Sequence, residues 1–255
     1  MLIGPRRWIF AFVAVWSGLI CAPLQALAGA EGFRFDVYLS GLRIGEVRFV
    51  GRTDGGRYEM QGVMGSSGFW GGFINRRYSG AVIGELRGAR LRPAVFRGRY
   101  EQRRQFAQVD IRYAGGRPKS VVRTPAREPQ PHDISLDHAR NALDPISATY
   151  FLLRDATEKS LCTQNFRIFE GNRLSQIALS RAAVATDDAA ADTPVEQVIC
   201  NGAYTRLGGF TAEQMDERKT FPFQIEYAPT EAGTWRVTNF TMTTYWGTAR
   251  ATRRQ

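Results

Sequence analysis

The chain has 255 residues, with 34 Lys and Arg against 24 Asp and Glu for a formal net charge of +10, and only two histidines and three cysteines. That length accommodates one β-rich domain with a sizeable core or two small domains, and so few His and Cys leave little material for a metal centre or for histidine-based catalysis. The cations are almost all arginine, the lysines being Lys119, Lys159 and Lys219. The planar guanidinium suits phosphate and carboxylate, so an anionic envelope component is a candidate partner; arginines spread along strands equally serve as a solvated face.

Residues 1–28 read as a secretory signal peptide: Arg6 and Arg7, an apolar run from Trp8 to Ile20, and the small-x-small site Ala26-Leu27-Ala28. The run is shorter than the ~20 residues a membrane span needs, so no transmembrane span is expected after cleavage. The expected location is the periplasm, where nucleic acid is not an expected partner. Residues 29–255, at a net charge of +8, are expected to form a single β-rich domain. Cys21 falls inside the signal, and Leu19 and Ile20 before it do not suit lipidation. Cys162 and Cys200 remain as an even pair in an oxidising compartment, for which a structural disulfide is expected.

From Phe33 to Leu39 apolar and polar residues alternate, which is the period of a strand with one buried face. Ser40-Gly41 turns the chain, and Ile44, Val47 and Phe49 carry the next strand. Asp54-Gly55-Gly56 is a hairpin signal leading into Tyr58 to Met64. Further strands are expected over 76–84, 94–104 and 105–113, with Gly115-Gly116 closing the last. Such regular short strands predict an antiparallel meander curled into a barrel or half-barrel.

Pro118, Pro125, Pro129 and Pro131 then exclude a central strand, so a Pro-rich loop or edge is expected near 118–131. Asp144-Pro145 begins a helix running to Leu153, with Asp144 as its cap and Pro145 at the first helical position. One helix interrupting an all-β meander is a candidate plug for the sheet's concave side. Strands resume over 165–170, 173–180, 195–201, 223–227 and 235–245, with an alanine-rich loop over 182–193. The basic tail 246–255 is expected to fray.

Chemistry-bearing patterns are sparse. His132, Asp133, Asp137 and His138 contain metal-ligand residue types, but a spacing of six suits no single helical face, and they are expected to be solvated loop residues with no metal. Gly65-Ser66-Ser67-Gly68 lacks the strand–turn–helix context of a nucleophile elbow. No catalytic residues and no cofactor are expected. Phe69, Trp70 and Phe73 on a glycine-rich stretch, with Tyr150, Trp235 and Trp246, are candidate ligand-binding residues that line an apolar pocket or meet a bilayer interface; as ordinary core rings they need no ligand.

The ordered landmarks "VYLSGLRIGEV", "LRPAVFRGRY", "VDIRYAGGRPKSV", "LDPISATYFLL", Cys162, "IFEGNRLSQIAL" and Cys200 resemble the bacterial envelope family known as domain of unknown function 3108, over almost the whole of residues 29–255. The family usually carries Asp-Gly where this chain has Glu170-Gly171. The resemblance implies a secreted β-rich protein, similar to periplasmic lipoprotein-carrier half-barrels and β-spiral envelope proteins, and brings no catalytic residues.

The expected fold is therefore all-β and mainly antiparallel: a curved meander forming a half-barrel or β-spiral with one interrupting helix. The expected function is a non-enzymatic periplasmic envelope protein that binds a lipid or hydrophobic peptide in its concave face and supports envelope integrity. The alternative is a scaffold whose basic face binds an anionic envelope polymer or a protein partner, and a hydrolase of unspecified substrate stands third.

Overall fold

The computed structural model describes residues 30–66, 76–88, 90–102, 105–182 and 197–254; the expected signal segment and the aromatic stretch Phe69, Trp70 and Phe73 lie outside them. The first half of the chain is a meander of seven strands: β1 (Ala30–Leu39), β2 (Leu42–Asp54), β3 (Arg57–Ser66), β4 (Arg76–Arg87), β5 (Arg90–Gln102), β6 (Gln105–Ala114) and β7 (Arg117–Thr124). Helix α1 (Pro145–Leu153) follows, then β8 (Asn165–Phe169), β9 (Leu174–Arg181) and β10 (Val198–Gly208). Helix α2 (Ala212–Glu217), β11 (Thr220–Pro229), β12 (Trp235–Thr244) and β13 (Gly247–Arg253) complete the order.

All thirteen strands belong to one sheet, in the order β7-β6-β5-β4-β3-β2-β1-β13-β12-β11-β10-β9-β8. From β1 in mid-sheet the described chain meanders to one edge, crosses through α1 to the other edge, and meanders back until β13 pairs antiparallel with β1, Phe35 opposite Arg253 and Leu39 opposite Ala249. This corrects the expectation of a frayed tail: residues 247–253 form a central strand bonded to β1 and β12. Their inward positions, Ala249 and Ala251, carry too little apolar surface to give a strand signal, and the ladder itself holds the segment in place.

The edge strands β7 and β8 do not pair with each other, so the curved sheet stays an open half-barrel. The crossover covers part of the gap. Leu143 bridges Ile168 in parallel, its N–H donating to Arg167 O (2.8 Å) and its carbonyl accepting from Phe169 N (2.8 Å), and Asn141 N–H donates to Gly116 O (2.9 Å). Covering an edge in this way removes backbone groups that would otherwise recruit foreign strands. The Pro-rich region begins later than expected: Pro118 lies within β7, which as an edge strand tolerates its missing N–H, and the irregular segment starts at Pro125.

Helix α1 begins as the sequence indicates. Asp144 Oδ1 accepts from the N–H groups of Ile146 (3.0 Å) and Ser147 (2.9 Å), and Pro145 takes the first turn. Ile146, Ser147, Ala148, Tyr150 and Leu152 are all buried, so the helix is enclosed on most sides rather than on one face. Its seat is a row of glycines, Gly62, Gly80 and Gly98, directly opposite one another on β3, β4 and β5. A Cβ on Gly80 would lie 2.7 Å from Ile146 Cγ1 and one on Gly62 would lie 3.0 Å from Ile146 Cδ1, so only glycines let the helix approach this closely.

Polar contacts then tie α1 and the turn after it to the sheet. Tyr150 Oη donates to Glu31 (2.8 Å), Tyr227 Oη donates to Leu152 O (3.4 Å), and Asp155 receives both Arg236 (2.6 Å) and Arg253 (3.2 Å). The Cys162–Cys200 disulfide is formed, with Cα atoms 5.2 Å apart, and joins the segment before β8 to β10.

Candidate ligand-binding site

Between α1 and the concave face of the sheet lies a cavity of about 380 Å3, within the range of about 300–1,000 Å3 usual for small-ligand pockets. Phe35, Val37, Val47 and Phe49 come from β1 and β2, and Phe240, Ala249 and Ala251 from the β12–β13 hairpin. Ile146 and Leu152 close it from the helix. The lining is apolar apart from Thr149, Arg250 and the Tyr78 hydroxyl. The cavity sits where the two ends of the chain meet, because the large inward side chains of β1 and β2 are opposed there by the two small alanines of β13. Met64, also in its lining, is 52% exposed and marks the open side.

Beside this apolar space is a buried polar group of quite different character. Asp144 is wholly enclosed, and burial pushes its carboxyl up to about 6, against the lowering effect of its hydrogen bonds to Ser147 and Ile146. Tyr58, hydrogen-bonded to Ser147 Oγ at 3.0 Å, Tyr78 and Tyr113 surround it, each held protonated first by burial and then by nearby negative charge that includes the Asp144 carboxylate. Among the described residues Asp144 Oδ2 and Tyr113 Oη have no hydrogen-bond partner. Glu170 is likewise pushed up by burial, opposed by Arg173 and Arg123.

The sequence-derived candidates separate. Tyr150 is buried against Phe49, ring centroids 5.7 Å apart, one layer away from the cavity lining. Trp235 is buried at the start of β12, where its backbone pairs with Ala156 in both directions (2.8 Å each) and anchors the chain leaving α1. Trp246 is 73% exposed at the β12–β13 turn. Phe69, Trp70 and Phe73 lie outside the described residues. The seat of α1, of which Gly62 also lines the cavity, carries one overlooked sequence signal: Gly62, Gly80 and Gly98 recur every 18 residues, which in a hairpin meander places them in one row.

The histidine cluster is occupied locally. Asp133 accepts from Arg127 (2.6 Å) and Asn172 (2.9 Å), while exposed His138 shares a hydrogen bond with Ser135 (2.9 Å). Four of the five arginines of a surface concavity of about 1190 Å3 are ion-paired: Arg48 with Glu46, Arg236 and Arg253 both with Asp155, and Arg254 with Asp36 at 2.7 Å. Arg254 and Arg43 hold Asp36 down at about 2.

Residues 34–187, running from β1 through β9 and containing α1, the glycine row and Asp144, match the family model described as protein of unknown function, DUF3108. The chain belongs to the DUF3108 family. No curated protein and no solved structure matches it. The DUF3108 match contains Cys162 but stops before Cys200, and it contains the β1–β4 wall of the cavity but not the β12–β13 wall. Among the described residues no helix is long and apolar enough to cross a membrane.

Proposed function

We propose that this protein is an exported, non-enzymatic envelope protein that holds a hydrophobic ligand, of the size of a lipid acyl chain, between α1 and the concave face of its sheet. The observation that carries this reading is the apolar cavity of about 380 Å3 with its exposed side at Met64. An apolar concavity of this size, open on one side and lined almost entirely by hydrophobic side chains, has the form of a site for a small apolar ligand. The disulfide supports an oxidising compartment. At the concavity between β1–β2 and β12–β13 the arginines are mostly ion-paired, which speaks against that face as the binding face of a basic scaffold.

The test is titration with a fluorescent polyene fatty acid, alongside mass spectrometry of lipids extracted from the purified protein. Saturable binding at one site is expected, weakened about tenfold or more by Ala251→Trp, whose indole would occupy the cavity. Absence of saturable binding to the unsubstituted protein, together with an extract free of lipid, overturns the reading.

A further inference from the structure

One end of the sheet gathers most of the exposed apolar side chains of the described residues. Leu42 (55%), Met64 (52%), Tyr100 (39%), Phe106 (42%), Leu207 (38%), Tyr245 (42%) and Trp246 (73%) all lie at strand ends or turns on the same side, the side of the β1–β2, β5–β6 and β12–β13 turns. Hydrogen bonds hold two of these turns together: Ser40 N–H donates to Thr248 O (2.9 Å) and Ser40 Oγ to Trp246 O (3.4 Å). The β1–β2 and β12–β13 turns therefore form one surface, on which the Phe221, Tyr245 and Trp246 rings pack in succession, and the other exposed side chains lie along the same end of the sheet, its rim.

Arginines are stacked into the same rim. Arg218 lies over the Tyr245 ring (5.2 Å) and the Phe221 ring (5.4 Å), Arg206 over Phe221 (4.9 Å) and Phe210 (5.0 Å), and Arg173 over Phe210 (5.1 Å). Cation–π contacts and backbone carbonyls, rather than carboxylates, hold these groups: Arg206 also donates to Gln214 O and Arg218 O, and Arg218 to Thr243 O, which leaves Arg218 the more accessible of the two. Arg76, Arg77, Arg173, Arg206, Arg218 and Lys219 make no salt bridge among the described residues. The same end carries carboxylates without a salt bridge as well, Glu213, Asp216 and Glu217 of α2 and the largely buried Glu170 at the β8–β9 turn, against those six cations.

We infer that this rim docks on the surface of a bilayer containing anionic lipid, with Tyr245 and Trp246 entering the interfacial layer and the unpaired arginines meeting lipid phosphates. Tryptophan and tyrosine favour the headgroup region because one end of each ring is apolar and the other polar. A cation near an anionic surface adds attraction that falls off within a Debye length. Docking in this pose turns the exposed side of the cavity, at Met64, toward the lipid. The inference rests on the surface alone and stands whether or not the cavity holds a ligand.

The experiment is flotation of the purified chain lacking residues 1–28 with vesicles of phosphatidylethanolamine and phosphatidylglycerol, three to one, against vesicles of phosphatidylcholine alone. Expected is cofloatation with the anionic vesicles, weakened by salt and much reduced on phosphatidylcholine. Trp246→Ser is expected to lower partitioning about tenfold or more, and Arg218→Gln about fivefold. Val122→Ser, which removes an exposed apolar side chain from an edge strand away from the rim, leaves partitioning unchanged. Ala251→Trp is expected to keep vesicle binding while losing the fatty acid, which separates the two readings. Circular dichroism checks that each variant is folded. Failure to float with anionic vesicles, an unchanged Trp246→Ser, or an equal loss on Val122→Ser overturns the inference.

Discussion

The two halves of the sheet fill their concave faces by opposite means. In the first half one row across β3–β5 withdraws, presenting Gly62, Gly80 and Gly98, and there a separate helix supplies the bulk beside the buried rings of the strands. In β8–β13 the strands themselves supply it: Phe221, Phe223, Ile225, Tyr227 and Trp235 are buried, and the Phe223 ring lies over Gly202 on the neighbouring strand. A disulfide then fastens this second half. A helix laid against glycines brings its bulk from a separate segment and leaves room at its margin. A core of rings growing from its own strands leaves less. The cavity lies at the seam between the two solutions.

The largest expected effect concerns the second half. Replacing Cys162 and Cys200 together by alanine opens a loop of 38 residues, with an expected loss of about 3–4 kcal/mol in the chain-entropy account. Urea unfolding of the oxidised protein and the double variant measures it; a difference under about 1 kcal/mol would show that the ring-filled half holds together without its staple.

In the first half the comparable quantity depends on pH. Asp144 has an ordinary carboxyl value of 3.8 when unfolded and about 6 when folded, so between those values the native chain keeps a proton that the unfolded chain has released. The native state is therefore favoured most, on this group's account, below about pH 4. That advantage is lost as pH rises through 6, to a total of about 3 kcal/mol. Asp36, depressed to about 2, acts in the reverse sense, contributing stability above pH 4 that is lost as pH falls through 2. Asp144→Asn retains a capping side chain and removes the titration, so the stability difference between variant and parent is expected to change between pH 4 and pH 7. A difference constant across that range would break the assignment.

The smallest effect tests the glycine seat. Gly80→Ala pushes a methyl group against Ile146 and is expected to cost about 1–3 kcal/mol. Adding Ile146→Val should return part of that loss, because the two side chains share one space. Strict additivity of the two substitutions would show that the helix does not rest on the glycine row.

Much of the local structure was legible because its determinants are close in sequence. Asp144 and Pro145 define the start of α1 within two residues, and Asp54-Gly55-Gly56 turns β2 into β3 regardless of what lies beyond. Helix α2 was not anticipated, although Thr211 and Gln214 form a reciprocal capping box that would have announced it. The cavity was far less legible. Its walls draw on β1, β2, α1 and the β12–β13 hairpin, and the aromatic residues that stood out as pocket candidates, Tyr150, Trp235 and Trp246, serve packing or face outward. Large rings signal burial or an interface, whereas a cavity is made where small residues such as Ala249 and Ala251 stand opposite large ones.

Sequence alone determined the strand periodicity, the hairpin turns and the limits of α1, since each depends on neighbouring residues; it offered the pairing of Cys162 with Cys200 as an expectation, and the structure forms that bond. Tertiary structure decided that β13 closes on β1, that α1 lies across the glycine row, and that apolar side chains collect at one end of the sheet. Those outcomes depend on which strand edges remain unpaired after the local hairpins have formed, and on how shapes from distant segments meet. No residue carries that information by itself.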